Sequence, residues 1–165
     1  MNGPAIATVI CRELRALERE LAAYQTDEQV WLLPPGLPNS GGTLSLHAAG
    51  NLLHFIGATL GGTSYVRDRD AEFSRRDVPR AELIAGLRQA AEVVKATLGA
   101  LDPARLEAPY PLPVLNRRLN MLHLATHLAY HTGQVDFHRR IVTGDVAGVG
   151  AVSPTELSTA RMIEG

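Results

Sequence analysis

LNMLHLATHLAYHTGQVDFHRR, residues 119–140, carries four of the chain's six histidines: His123, His127, His131 and His138. Spacings of four, four and seven put all four side chains on one stripe of an α-helix, with Cβ atoms about 5–6 Å apart at each i, i+4 step. Two neutral imidazoles at that spacing can grip one metal ion, as they do in HExxH. Leu124 and Leu128 stand where that motif needs Glu, so the stretch is no zincin and offers half of a different site. His123 and His131 are roughly 12 Å apart along the axis, too far to share an ion bonded at about 2.0–2.1 Å. The helical pair is therefore His123/His127 or His127/His131, and a third ligand must come from another segment.

The rest of the chain is read against that helix. With 165 residues, 45% hydrophobic and 20% charged, it has the length and composition of one domain (1–165) with a buried core. A formal net charge of −1 and the absence of a basic stripe argue against a nucleic-acid partner. No apolar run approaches the ~18 residues of a membrane span, and the N-terminus lacks the pattern of a secretory leader. The lone Cys11 fits a reducing cytoplasm and reads as a small core residue.

Four long helices are expected, over about 5–24, 43–60, 79–101 and 117–143, with no βαβ pattern. The first alternates Ile6, Ile10, Leu14, Leu17 and Leu21 with a polar side that includes Glu13 and Glu20. Thr26 and Gln29 resemble a capping box, and Trp31 reads as a packing residue. Leu33–Gly42 is a loop by its prolines and glycines. The second long helix has no charge and little polarity on any face, which means burial on more than one side. A second subunit would cover its outer face or that of the fourth helix. Residues 62–78 read as a long polar connection, 108–116 as an extended connector, and Ser153-Pro154-Thr155-Glu156 as the opening of a short terminal helix. Four long helices make an all-α four-helix bundle.

The only histidines elsewhere are His47 and His54, on one face of the second helix and about 10.5 Å apart in rise. If the second and fourth helices are antiparallel, His47 lies level with His127 and His131. If they are parallel, it approaches His123 and His127 instead. The 62–78 connection is long enough to cross the bundle and make them antiparallel, though a loop of that length also permits the alternative.

HLATHLAYHTGQ, with His47 opening HAAGNL upstream, resembles the DinB-like superfamily of metal-binding four-helix bundles (named for DNA-damage inducibility) over about residues 5–145. The family pattern is a His early in the second helix and His-x-x-x-His followed by x-Gly-Gln in the fourth. His47, His127, His131 and Thr132-Gly133-Gln134 occupy those positions. The resemblance implies an up-down-down-up topology with a long crossover between helices two and three, a divalent metal and, frequently, a homodimer; a three-histidine site suits Zn, Ni or Fe. The resemblance also implies relatives that are metal-dependent transferases and isomerases using a low-molecular-weight thiol such as bacillithiol or mycothiol. HAAGNLLHF looks like one particular branch of that superfamily.

Three imidazoles form an uncharged ligand set that leaves a divalent ion its full charge and an open position. The expected function is a metal-dependent thiol transferase or hydrolase acting on a small-molecule substrate, with a non-catalytic metal-binding bundle as the alternative. His54 and His123 are the candidate general bases, although a satisfied core residue is the blander account of each. Asn51 and Gln134 are candidates to orient the ligand imidazoles. His138, near the helix end, is expected to be partly exposed, and Tyr130 to be a packing residue.

Overall fold

Side-chain caps fix where the helices begin. The computed structural model describes residues 2–110, 116–149 and 157. Asn2 Oδ1 accepts the Ala5 N–H at 3.0 Å and Pro4 occupies the first turn, opening α1 (Gly3–Ala22). The Thr26/Gln29 capping box opens α2 (Asp27–Trp31), which turns Trp31 inward to donate its Nε1–H to the Val78 carbonyl at 3.1 Å. The Ser40 hydroxyl caps α3 (Gly41–Leu52). That rod continues through a π-turn, Leu53–Ala58, into α4 (Thr59–Gly61), and Gly62 ends it at φ 67°. Asn116 Oδ1 accepts the Leu119 N–H at 2.9 Å to start α7 (Arg117–Thr143), which ends at Gly144 with φ 71°.

The π-turn widens the helix and takes carbonyls off the regular ladder. The structure supplies replacements: the Thr59 hydroxyl donates to His54 O at 3.0 Å, and the Tyr110 hydroxyl donates to Phe55 O at 2.9 Å.

Two expectations change. Residues 62–78 are not all loop, because Asp68 caps a short helix, α5 (Arg69–Ser74), through the Ala71 N–H at 2.9 Å. Glu13 and Glu20, assigned to the solvent side of α1, are buried. Glu20 Oε2 accepts from Arg139 Nε at 2.6 Å, and neither side chain is more than 1% exposed. Arg139 also reaches the Ala147 carbonyl at 2.8 Å, which ties the segment after α7 to the end of α1. A helical wheel places Glu20 inside only when its partner charge is known, and that charge comes from 119 residues away, whereas Glu13 pairs with the adjacent Arg12.

Among the described residues the chain is all-α, with no strand and one isolated bridge, Pro109 to Asn116. The long elements are α1, α3 with its continuation, α6 (Arg80–Gly99) and α7, and a 3-10 turn, Pro103–Glu107, follows α6. α1 packs on α6 and α7, and α3 packs on α6, α7 and α5. Gly3, at the start of α1, lies against Leu98, near the end of α6, whereas Glu20 meets Arg139, near the end of α7. Ile10, Leu17, Leu52, Ile56, Leu87 and Met121 are fully buried between these rods, each stabilising the fold by about 1.5–3 kcal/mol relative to exposure. No helix of the described residues is long and apolar enough to cross a membrane. The expected terminal helix at 153–156 lies outside the described residues, as do 111–115 of the connector.

Candidate metal centre

The imidazoles of His47, His127 and His131 meet between α3 and α7, their ligand nitrogens all within 4.8 Å of one another. The i, i+4 step on α7 brings His127 Nε2 and His131 Nε2 to 3.1 Å. His47, on the second turn of α3, presents its ring edge-on to both, 5.2 Å from each by ring centroid. Tetrahedral bonding at about 2.0–2.1 Å sets nitrogens about 3.4 Å apart. The α7 pair already stands near that spacing, at 3.1 Å.

Outer hydrogen bonds fix which nitrogen of each ring is available. His131 Nδ1 lies 2.7 Å from Gln134 Oε1; a carbonyl oxygen only accepts, so Nδ1 carries the hydrogen and Nε2 keeps its lone pair. His47 Nδ1 lies 2.9 Å from Glu72 Oε2, and by the same reasoning leaves its Nε2 for the cluster. Two lone pairs facing each other at the His127–His131 distance repel. Either His127 Nε2 carries a hydrogen there, or a cation sits between them.

Burial favours the neutral form of His47 and His127. Burial lowers the pKa of His127 to about 4, helped by the neighbouring imidazoles of His131, His47 and His123 and by the Arg67 guanidinium. Burial also lowers His47, against the opposing pull of Glu72. Neutral imidazole is the form that binds metal.

Glu72 comes from α5, inside the stretch expected to be loop, and is the main group the sequence reading missed. Its carboxylate is gripped by Arg67, Nε to Oε1 at 2.7 Å and Nη2 to Oε2 at 2.8 Å, while Oε2 also holds His47. The Arg67 guanidinium in turn lies over the Phe55 ring, 5.5 Å from its centroid. Gly50 makes room: a Cβ there would collide with Glu72 Oε1. A glycine one turn after His47 was the available signal that another group fills that space.

The other candidates are placed as follows. Gln134 touches His131. Asn51 is buried on α3, and among the described residues no side-chain hydrogen bond joins it to the three imidazoles. His123 is exposed, its ring 5.7 Å from that of His127. His54 sits half-buried in the π-turn against Phe55, 4.8 Å between centroids. His138, expected to be partly exposed, is 2% exposed. Its Nε2–H donates to Leu32 O at 2.8 Å and its Nδ1 accepts from the Tyr24 hydroxyl at 2.6 Å. It ties Leu32, after α2, and Tyr24, after α1, to α7. Tyr130 is 63% exposed.

No protein-family model, curated protein or solved structure matches the chain.

Proposed function

We propose that this chain is a divalent-metal-binding protein of the DinB-like type, and that His47, His127 and His131 hold the ion. The observation that carries the reading is the donor set: three imidazoles on two helices, with Glu72 and Gln134 hydrogen-bonded to the Nδ1 atoms of two of them. A core packed only for stability has no need of three histidine rings converging on one point between two helices.

The ion, when bound, supplies Lewis acidity to whatever thiol or water takes its remaining position. We propose a metal-dependent transferase using a low-molecular-weight thiol, or a hydrolase, acting on a small-molecule substrate. Within that reading Gln134 and Glu72 orient the ligand rings, and exposed His123, its ring 5.7 Å from that of His127, is the candidate to accept a proton. Arg67 neutralises Glu72, so the protein adds no net negative charge beside the site. The four long rods belong to an up-down-down-up bundle in this reading; it is supported by the neighbours of Gly3, by the Glu20–Arg139 pair and by His47 lying level with His127 and His131.

One observation favours a non-catalytic metal-binding bundle as the second reading. The carboxylate nearest the imidazoles is already engaged by Arg67 and His47, so it is not free to act as a base. Isothermal titration of metal-free protein with Zn, Ni and Fe(II) tests the shared claim: one ion per chain is expected, with binding abolished in His127→Ala. Equal binding by both proteins refutes it. Full metal occupancy with no thiol conjugation or ester hydrolysis across a substrate screen would select the non-catalytic reading.

A further inference from the structure

α3 packs against both α5 and α6, and a cavity of about 390 Å³ lies among the three, within the roughly 300–1,000 Å³ of small-molecule sites. Leu46, Ala49, Leu53 and Leu83 give it apolar walls. Part of its room comes from Gly86, which also lines it. Gly86 lies in the interior of the 20-residue helix α6, an unfavourable place for glycine. A Cβ there would meet nothing nearer than Ala49 Cβ at 4.0 Å, an ordinary contact, and its φ is not positive. Neither close helix packing nor backbone conformation therefore calls for glycine at 86. What the missing side chain leaves is open cavity.

The charge on this cavity is mostly negative. Asp68, Glu72 and Glu82 line it, against Arg75 alone among its basic groups. Arg75 is paired with Glu82, Nη2 to Oε1 at 2.9 Å, both side chains about half exposed. Arg67 neutralises Glu72. Asp68 caps α5 through Oδ1 and the Ala71 N–H, and among the described residues no cationic side chain pairs with it. Tyr65 lines the same cavity. Burial, and after it the Glu72 carboxylate, raises the Tyr65 pKa against the pull of Arg67, so the group stays a neutral phenol. Its hydroxyl has no hydrogen-bond partner among the described residues.

We propose that the cavity binds a small organic cation, a primary ammonium group on a hydrocarbon body, and that its occupation is transmitted to His47 through Glu72. An ammonium group has only donors to offer, and Asp68 and the Tyr65 oxygen supply acceptors. The hydrocarbon lies on Leu46, Leu53 and Leu83. An anionic ligand would meet three carboxylates and a guanidinium already engaged, and an uncharged one would leave Asp68 unanswered. Glu72 is the wall that cavity and histidine share: it lines the cavity while its Oε2 holds His47 Nδ1 at 2.9 Å. Gly50 backs it closely, since a Cβ there would collide with Oε1. A cation arriving from the cavity side draws on the same carboxylate charge that orients the imidazole. The proposal does not depend on a metal ion at the three histidines.

Titration of the full, metal-free chain with hexylamine, hexanol and hexanoate, followed by proton–nitrogen NMR, tests the proposal. Hexylamine should saturate about tenfold more tightly than hexanol, the worth of a hydrogen bond to a charged group, and hexanoate should not saturate. The His47 ring nitrogens should shift with the same midpoint as the backbone amides of Ala49 and Gly86. Gly86→Leu fills the cavity and should abolish binding, with its circular dichroism melt at or above that of wild type. Asp68→Asn keeps an equally good helix cap and should bring hexylamine down to the affinity of hexanol, which keeps the test decisive should Gly86→Leu fail to fold. Absence of saturable hexylamine binding overturns the proposal, as does equal affinity for hexanol or hexanoate. Wild-type binding by folded Gly86→Leu, or an undiminished preference for the amine in Asp68→Asn, overturns it as well. Saturation that leaves the His47 nitrogens unmoved overturns the link through Glu72.

Discussion

Replacing Glu72 by Gln separates the proposed metal site from ordinary packing. The side chain keeps its volume but loses the charge that holds His47 Nδ1 at 2.9 Å and meets Arg67 at 2.7 and 2.8 Å. Two effects follow, and they have different sizes. An outer group that orients a metal-bound histidine is worth about 10–100-fold in metal affinity, or about 1.4–2.8 kcal/mol. The Arg67 guanidinium, only 12% exposed, loses its counter-charge, and breaking a buried pair from one side costs about 3–5 kcal/mol. Gln retains one acceptor for Arg67, so the lower end, about 3 kcal/mol, is expected, a drop of about 6–12 °C in Tm for a chain of this size. A second substitution pulls the two effects apart. Arg67→Met together with Glu72→Gln removes the orphaned cation and should restore most of the thermal stability, but leave metal affinity low. Competition against a chromophoric chelator reads the affinity, and circular dichroism melting of metal-free protein reads the stability. Metal affinity within threefold of wild type in a folded Glu72→Gln protein would refute the reasoning, because the carboxylate would then not be orienting a ligand.

Other outcomes follow from the same contacts. Gly50→Ala should lower metal affinity in the same direction as Glu72→Gln, since the new methyl group must displace Glu72 Oε1; chelator competition giving wild-type affinity would contradict that route. Tyr24→Phe removes the donor to His138 Nδ1 inside the core, and an unsatisfied buried acceptor costs about 1–3 kcal/mol, measurable as a lower urea midpoint at constant slope. Burial lowers the pKa of His47, His127 and His138 in the folded chain, so the unfolded chain binds more protons and stability rises with pH. The contribution is complete above the ordinary histidine value of about 6.5 and is lost as pH falls towards about 4, the folded value of His127. Urea titrations of metal-free protein at stepped pH check this, and a midpoint that stays flat across that window would count against it.

The long helices were legible because their signals are local. Ile6, Ile10, Leu14, Leu17 and Leu21 recur at helical spacing and are all buried in α1, and the Thr26/Gln29 box caps α2 at the residues where it is written. The histidine pair on α7 was legible for the same reason, since i, i+4 geometry needs nothing beyond one helix. Glu72 was not. Its role depends on α5, a six-residue helix in a charged stretch, folding back over α3, and no periodicity of its own announces that. Glu20 and Arg139 illustrate the same limit, because a charge looks solvated until its partner is known to be close in space. His138 looked exposed from its place near a helix end, whereas Tyr24 and the Leu32 carbonyl enclose it from two other segments.

The same contacts explain why the three rings are held in register at all. His127 and His131 share one helix and cannot separate unless that helix unwinds. His47 stands on a different rod, and only lateral contacts set its distance from them. Arg67 and Glu72 form a closed neutral unit over its Nδ1, and Gly50 lets that unit press against the α3 backbone. Rotation of His47 away from the cluster would break the hydrogen bond to Glu72 and leave a buried carboxylate facing only a guanidinium. The cost of misplacing the ring is thus borne by the fold even when no ion is bound, which is what preorganisation of a ligand requires. Because that unit carries no net charge, a divalent ion in the proposed centre would present close to its full positive charge to an incoming ligand. This favours an anionic group such as a thiolate or carboxylate over a neutral one of the same size.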